Sequence, residues 1–212
     1  MGKAKGNLIV GQSGGPTVAI NSSLSGVIQE ALTHEEIGEV YGMFRGIRGL
    51  LNEQVIDLRQ QPAGVVAGLR HTPGAALGTV RYKVTPRDYE RILEVLKKHN
   101  IRYLHYIGGN DSADTSWQLH KMAAAAGYEL HVIAVPKTVD NDLCLTDHCP
   151  GYPSAARFVA MATRDTGRDT EAMGPESPVK ILEVMGRNAG WLTLHSAIAS
   201  GADVILIPEI PY

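Results

Sequence analysis

The sequence predicts an open, mostly parallel α/β sheet with helices on both faces, spread over two domains of which the second is incomplete. Three observations predict it. Short β-branched runs alternate with stretches of helical spacing along the chain. Glycine-rich or acidic turns fall directly after three of the strand-like runs. No repeat or low-complexity tract interrupts the alternation, and no apolar run reaches the roughly 20 residues that would span a bilayer.

Leu8-Ile9-Val10 is an apolar run of buried-strand type, followed by a glycine-rich turn and a helical stretch from about Thr17 to Leu32. Glu39 to Gly42 reads as a second short strand. Thr85 and Pro86 open a helix: threonine can cap, and proline sits where its missing N–H is not needed. Ile92, Val95 and Leu96 then recur at helical spacing, and the helix ends near Asn100. Tyr103 to Ile107 is strand-like, Ser112 to Ala126 is helical, and Gly127 stands at its expected stop. His131 to Val135 is a further strand. Beyond it come a helix from about Ser154 to Thr170, a strand at Val179–Val184, a helix at about Asn188–Ser200 and a strand at Val204–Ile207. Gly174-Pro175-Glu176-Ser177-Pro178 is the one linker-like stretch. The first domain is expected over residues 1–150 and the second over 151–212.

Composition excludes several classes. A net charge of −2 gives no electrostatic reason to expect nucleic acid or an anionic membrane as partner. The start, Met1 to Asn7, passes into the first strand without a signal-peptide core, so a cytoplasmic protein is expected. Two cysteines, Cys144 and Cys149, are too few for a disulfide framework. With His148 they make three zinc-type ligands and lack a fourth at usable spacing. Trp117 and Trp191, on amphipathic helices, are expected in the core, and Arg164, Arg168 and Asp169 on a solvated face.

Ligands of open α/β sheets bind outside the carboxyl ends of the strands, so the turns there carry the functional reading. Gly11-Gln12-Ser13-Gly14-Gly15-Pro16-Thr17 can bring backbone amides and a helix N-terminus to an anion. It has neither Walker A nor dinucleotide spacing, and a plain tight turn accounts for it equally well. Gly108-Gly109-Asn110-Asp111-Ser112 repeats the arrangement. Pro136-Lys137-Thr138-Val139-Asp140-Asn141-Asp142 places two carboxylates and a lysine close together, either as a solvated acidic turn or as a site for a cation and substrate. Three such loops at successive strand ends point to phosphoryl transfer with a divalent metal.

These segments, with Asn21, Tyr41-Gly42, Gly49-Leu50, Leu77-Gly78-Thr79, Arg81 and Glu183-Val184-Met185-Gly186-Arg187, fall in the order and spacing of the phosphofructokinase family, which the chain resembles from about residue 8 to 209. The resemblance implies that Asp140 is the catalytic base toward the sugar 1-hydroxyl. It implies that Thr138 and Asp142 hold the reacting groups, and that Met185, Gly186 and Arg187 contact fructose 6-phosphate. Gly14, Gly15 and Arg81 would bind the donor phosphates, and Asn110 and Asp111 would serve Mg²⁺. Members that use ATP carry glycine at the positions of Asp111 and Lys137. Here a carboxylate would repel the α-phosphate and a lysine would suit a leaving phosphate, so pyrophosphate is the expected donor.

Two positions depart from the family pattern. Asn110 replaces a metal-associated aspartate and brings no charge. Residues 176–180 lack an arginine that ATP-type members donate across a subunit interface, with Lys180 as its candidate replacement. The alternatives are an ATP-dependent phosphofructokinase and a non-catalytic, phosphofructokinase-like regulatory subunit. The chain stops directly after a strand-like run, so an N-terminal portion of a longer protein is expected, homo-oligomeric when full length.

Overall fold

The computed structural model describes residues 4–176 and 178–211. Met1 to Lys3, Ser177 of the linker-like stretch and Tyr212 lie outside the described residues. The chain divides into two compact units between Lys137 and Thr138, ahead of the boundary expected near Gly151. The reason is local: Thr138 bridges to Gly151, and its N–H donates to the carbonyl of Pro150 at 3.2 Å. The acidic loop therefore folds as part of the second unit.

The first unit runs β1 (Gly6–Gln12), α1 (Ile20–Ala31), β2 (Ile37–Met43), α2 (Gly46–Leu51), β3 (Val55–Asp57), α3 (Ala63–Gly68), α4 (Pro86–Lys98), β4 (Ile101–Gly108), α5 (Asn110–Ala125) and β5 (His131–Pro136). The sheet order is β3-β2-β1-β4-β5. Its pairings are parallel except β2 with β3, an antiparallel edge that sequence reasoning did not foresee.

Side-chain alternation along β1 divides the core. Ile9 packs on one face with Leu104 and Tyr106 of β4, beneath α2, α4 and α5. Leu8 and Val10 pack on the other with Val40 and Ile107, beneath α1 and α3. Coverage on both faces is why the central strands read as continuous apolar runs. On α4, Ile92, Val95 and Leu96 are each at most 1% exposed, and burying each contributes about 1.5–3 kcal/mol. The α4 start forms as the sequence predicts: the Asp88 carboxylate accepts from the Thr85 N–H and from its hydroxyl, both at 2.7 Å. Those bonds hold the Asp88 carboxyl below its ordinary range. At the far edge, β5 pairs with β4 alone among the described residues, and Ile133 is 49% exposed.

The second unit contains α6 (Tyr152–Met173), a 3₁₀ turn at Gly174–Glu176 and α7 (Trp191–Ser200). The Ser196 hydroxyl donates to the Ala156 carbonyl at 3.1 Å, and the Tyr152 hydroxyl meets His195 Nδ1, so the two helices are joined along one seam.

Two expectations fail here. Residues 179–184 and 204–207 form no strand ladder among the described residues, and Val179, Ile181 and Val204 are exposed. A β-branched apolar run reads the same whether or not a neighbouring strand is present to pair with it. Trp117 and Trp191 are not core residues either. Each is about half exposed, Trp117 stacking on His120 beneath Lys121 and Trp191 lying against His195. On α5 the buried face is instead the line Ser112, Ser116, Leu119 and Ala123. Arg164, Arg168 and Asp169 are exposed, as expected.

Candidate active site

The turns after β1 and β4 meet Lys137 at the carboxyl end of β5. The Ser13 N–H donates to the Ile107 carbonyl at 2.9 Å, and the Lys137 N–H to the Gly108 carbonyl at 2.9 Å. Backbone bonds thus stitch each turn to its neighbour. Gly108 has to be glycine: a Cβ there would lie 2.1 Å from Ser112 Oγ and 3.3 Å from Ser13 Cβ. Gly14 turns the first loop with φ +75, a conformation that favours glycine.

Lys137 closes the cradle. Its side chain is 4% exposed, and Nζ donates to the Gly15 carbonyl at 2.8 Å. A Cβ on Gly14 would stand 3.0 Å from that nitrogen, whereas one on Gly15 would meet nothing within 4 Å. The lysine thus occupies the floor of the loop, and the open side is at Gly15. Asn110 and Asp111 begin α5 and are exposed, with Gly109 as a cap that brings no side chain. The N-terminus of this 16-residue helix lies in the same region, with the Asp111 carboxylate in its first turn. Arg81 is exposed on the segment after Gly78.

Sequence reasoning missed two residues of this cluster. Gln12, at the end of an apolar strand, is fully buried and hydrogen-bonds Asn21 and the backbone of Leu77; an amide closing a run of Leu, Ile and Val was the available signal. Tyr106 hydrogen-bonds the Ser13 side chain and the Ile47 backbone, and burial pushes its phenol up. An aromatic residue within a strand carries no signal that separates it from ordinary core.

In the second unit the Thr138 hydroxyl organises the acidic loop. It donates to Asp142 Oδ1 at 3.1 Å and accepts the Asp140 N–H at 3.1 Å. Asn141, at φ +56, donates from Nδ2 to the Asp147 carbonyl at 3.1 Å and accepts the Cys149 N–H at 2.8 Å. Thr138, Asp140 and Asp142 are therefore held together by a rigid turn. Met185, Gly186 and Arg187 form a second turn in which Gly186 has φ +121 and both flanking side chains are exposed. A Cβ at Gly186 would lie 2.4 Å from the Ala189 carbonyl. The Gly190 N–H, ahead of α7, donates to Glu209 at 2.7 Å. Lys180 is already engaged, donating to the Thr166 carbonyl at 2.7 Å. Among the described residues no three His, Cys, Asp or Glu side chains cluster as a metal site, and no helix is long and apolar enough to cross a membrane.

Sheet order, helices on both faces and loops gathered at the carboxyl ends of the strands define an open α/β protein of ligand-binding type. Within that class the chain belongs to the phosphofructokinase family, whose sequence model, described as Phosphofructokinase, matches residues 7–212. It is 46% identical over 96% of its length to a protein of Xanthomonas campestris pv. campestris named pyrophosphate–fructose 6-phosphate 1-phosphotransferase, of which it covers 51%. A crystal structure of a pyrophosphate-dependent phosphofructokinase from Nitrosospira multiformis superposes with a TM-score of 0.88 at 43% identity, over 97% of this chain and 54% of that one. An ATP-dependent 6-phosphofructokinase of Bacteroides thetaiotaomicron is 34% identical over 94% of this chain and 58% of its own. The chain spans about half the length of the curated relatives it matches.

Proposed function

We propose that the whole protein transfers a phosphoryl group from pyrophosphate to the 1-hydroxyl of fructose 6-phosphate, reversibly. The observation that carries this reading is the buried amine of Lys137 seated against Gly14 and Gly15. A lysine there supplies a fixed cation to a phosphate and fills volume that a nucleoside-bearing donor would need. The exposed Asp111 carboxylate in the first turn of α5 opposes an α-phosphate. The names carried by relatives at 42–46% identity support the same assignment.

In this mechanism the sugar O1 attacks the terminal phosphorus and the bridging P–O bond of pyrophosphate breaks. Phosphate leaves, and the hydroxyl proton passes to Asp140. The Asp140 N–H is fixed by the Thr138 hydroxyl, which also orients Asp142, so the base is held in place before substrate arrives. Met185, Gly186 and Arg187 bind the sugar phosphate, with Arg187 as its cation. Asn110 and Asp111 offer an amide oxygen and a carboxylate, hard donors that suit Mg²⁺, an ion that completes its shell with water and phosphate oxygens. When bound, it would neutralise charge on the donor. The reading places the protein in the cytoplasm as a homo-oligomer acting on small molecules, without nucleic-acid or membrane partners.

The test is a coupled assay of the full-length protein with pyrophosphate and ATP side by side. Pyrophosphate is expected to serve at least about tenfold better, a difference of ~1.4 kcal/mol. Asp111→Gly with Lys137→Gly should admit ATP. Equal wild-type rates with both donors would overturn the assignment.

A further inference from the structure

We propose that the buried amide pair Gln12–Asn21 is a positioning device that sets the cradle loop and the arginine-bearing segment Leu77–Arg81 in register, so that both engage the donor as one unit. The inference rests on the donor-site reading of the cradle. Its basis is where the hydrogen bonds of the two amides go. Gln12 Nε2 donates to the Ile20 carbonyl at 3.2 Å and to Asn21 Oδ1 at 2.9 Å, while Gln12 Oε1 accepts the Leu77 N–H at 2.9 Å. Asn21 Nδ2 donates to the Thr72 carbonyl at 2.9 Å, and Asn21 Oδ1 also accepts the Ala76 N–H at 2.8 Å.

Both side chains are 0% exposed in a core otherwise formed by Leu8, Val10, Ile20 and Leu24. Apolar side chains would fill that volume at no desolvation cost, so a polar pair there needs a reason. Its bonds join Gln12, which ends β1, to Ile20 and Asn21 in the first turn of α1, pinning the two ends of the cradle loop together, and tie both to residues 72–77. The pair has one reading of its amide orientation: exchanging the nitrogen and oxygen of Gln12 would turn an oxygen toward the Ile20 carbonyl and an NH₂ toward the Leu77 N–H. A buried hydrogen-bonded network of this kind specifies one geometry.

The segment is held from its other side too. The Arg45 N–H donates to the Leu77 carbonyl at 2.7 Å. Gly78, at φ +72, turns the chain against the Arg45 side chain, and a Cβ on Gly78 would stand 3.2 Å from it. A Cβ on Gly46 would lie 2.8 Å from the Gln12 carbonyl and 3.5 Å from Val80. Arg81 thus leaves from a base fixed to the same residue that ends β1.

The experiment uses the full-length protein, with amide hydrogen exchange and calorimetric titration of inorganic pyrophosphate on the wild type, Gln12→Met, Asn21→Ser, Arg81→Ala and the Gln12→Met/Arg81→Ala double variant. Exchange at both Ala76 and Leu77 should rise by about tenfold or more in either amide variant, because one cut releases the whole segment. Arg81→Ala should weaken pyrophosphate about fivefold in the wild type and less than about twofold on Gln12→Met, since an arginine already displaced has little left to lose. Additive losses, or pyrophosphate affinity unchanged in folded Gln12→Met, would overturn the proposal, because a merely structural pair lowers stability without touching that coupling. If Gln12→Met does not fold, Gln12→Glu replaces it: it keeps the acceptor for Leu77 and loses the donor to Asn21, so Ala76 should loosen more than Leu77. A wild type that binds no pyrophosphate but shows the coupled exchange overturns the donor reading and leaves the mechanical link standing.

Discussion

The side-chain amine of Lys137 donates to the main-chain carbonyl of Gly15, 122 positions earlier in the sequence, at 2.8 Å. This bond couples the end of the first unit to its first loop, and the charge it delivers is fixed in place before any ligand binds. Lys137→Met keeps most of the buried volume and removes the charge. Pyrophosphate affinity is expected to fall by about tenfold or more, with a smaller loss of stability. Calorimetric titration beside a thermal melt separates the two effects.

Gly14 and Gly15 should respond differently to one added methyl group. Gly14→Ala forces a side chain into positive φ and against Lys137 Nζ, so it should cost about 1–3 kcal/mol and weaken pyrophosphate binding. Gly15→Ala faces open space and should leave stability within about 0.5 kcal/mol of wild type. Urea denaturation of the pair checks this, and equal losses would contradict the cradle geometry.

Asp140→Asn is isosteric and keeps the N–H bond to Thr138. In a turnover assay of the full-length protein it should lower kcat by about a hundredfold or more, with KM for both substrates within a few-fold. An effect confined to KM would make Asp140 a binding residue and leave Asp142 as the candidate base.

Glu53 is the clearest source of pH dependence away from the cradle. Its carboxylate accepts from Lys98, His99 and Arg91, and these bonds, led by that of Lys98, hold its pKa at about 2 against an ordinary 4.5. A depressed acid contributes stability that is fully present above the unfolded value and is lost as pH falls through the folded one. Wild type should therefore lose its advantage over Glu53→Gln progressively between pH 4.5 and about 2. The difference in urea midpoint between the two proteins, followed across that range, reads it directly.

The readability of the chain depends on how local each cause is. Thr85, Pro86 and the Ile92–Val95–Leu96 stripe are local causes, and α4 forms where they place it. The same holds for the glycine turns, whose residues state the backbone conformation they need. The pairing of β3 with β2 is not local, because three residues of ordinary composition become a strand only when the β2 backbone lies beside them. Residues 179–184 and 204–207 show the converse: strand-forming side chains without a ladder among the described residues. In the candidate site the residue types were visible, but the Gln12–Asn21 contacts join positions more than fifty apart and have no signature in spacing.

The five-stranded sheet has one finished end and one unfinished end. At one side three residues of β3 turn against the direction of the rest, a short reversed border that offers little backbone to a newcomer. At the other, β5 runs with its neighbours for six residues, carrying the half-exposed Ile133. A strand laid beside this sheet would find six residues of backbone along β5 and three along β3, so the two borders differ in how much pairing they offer.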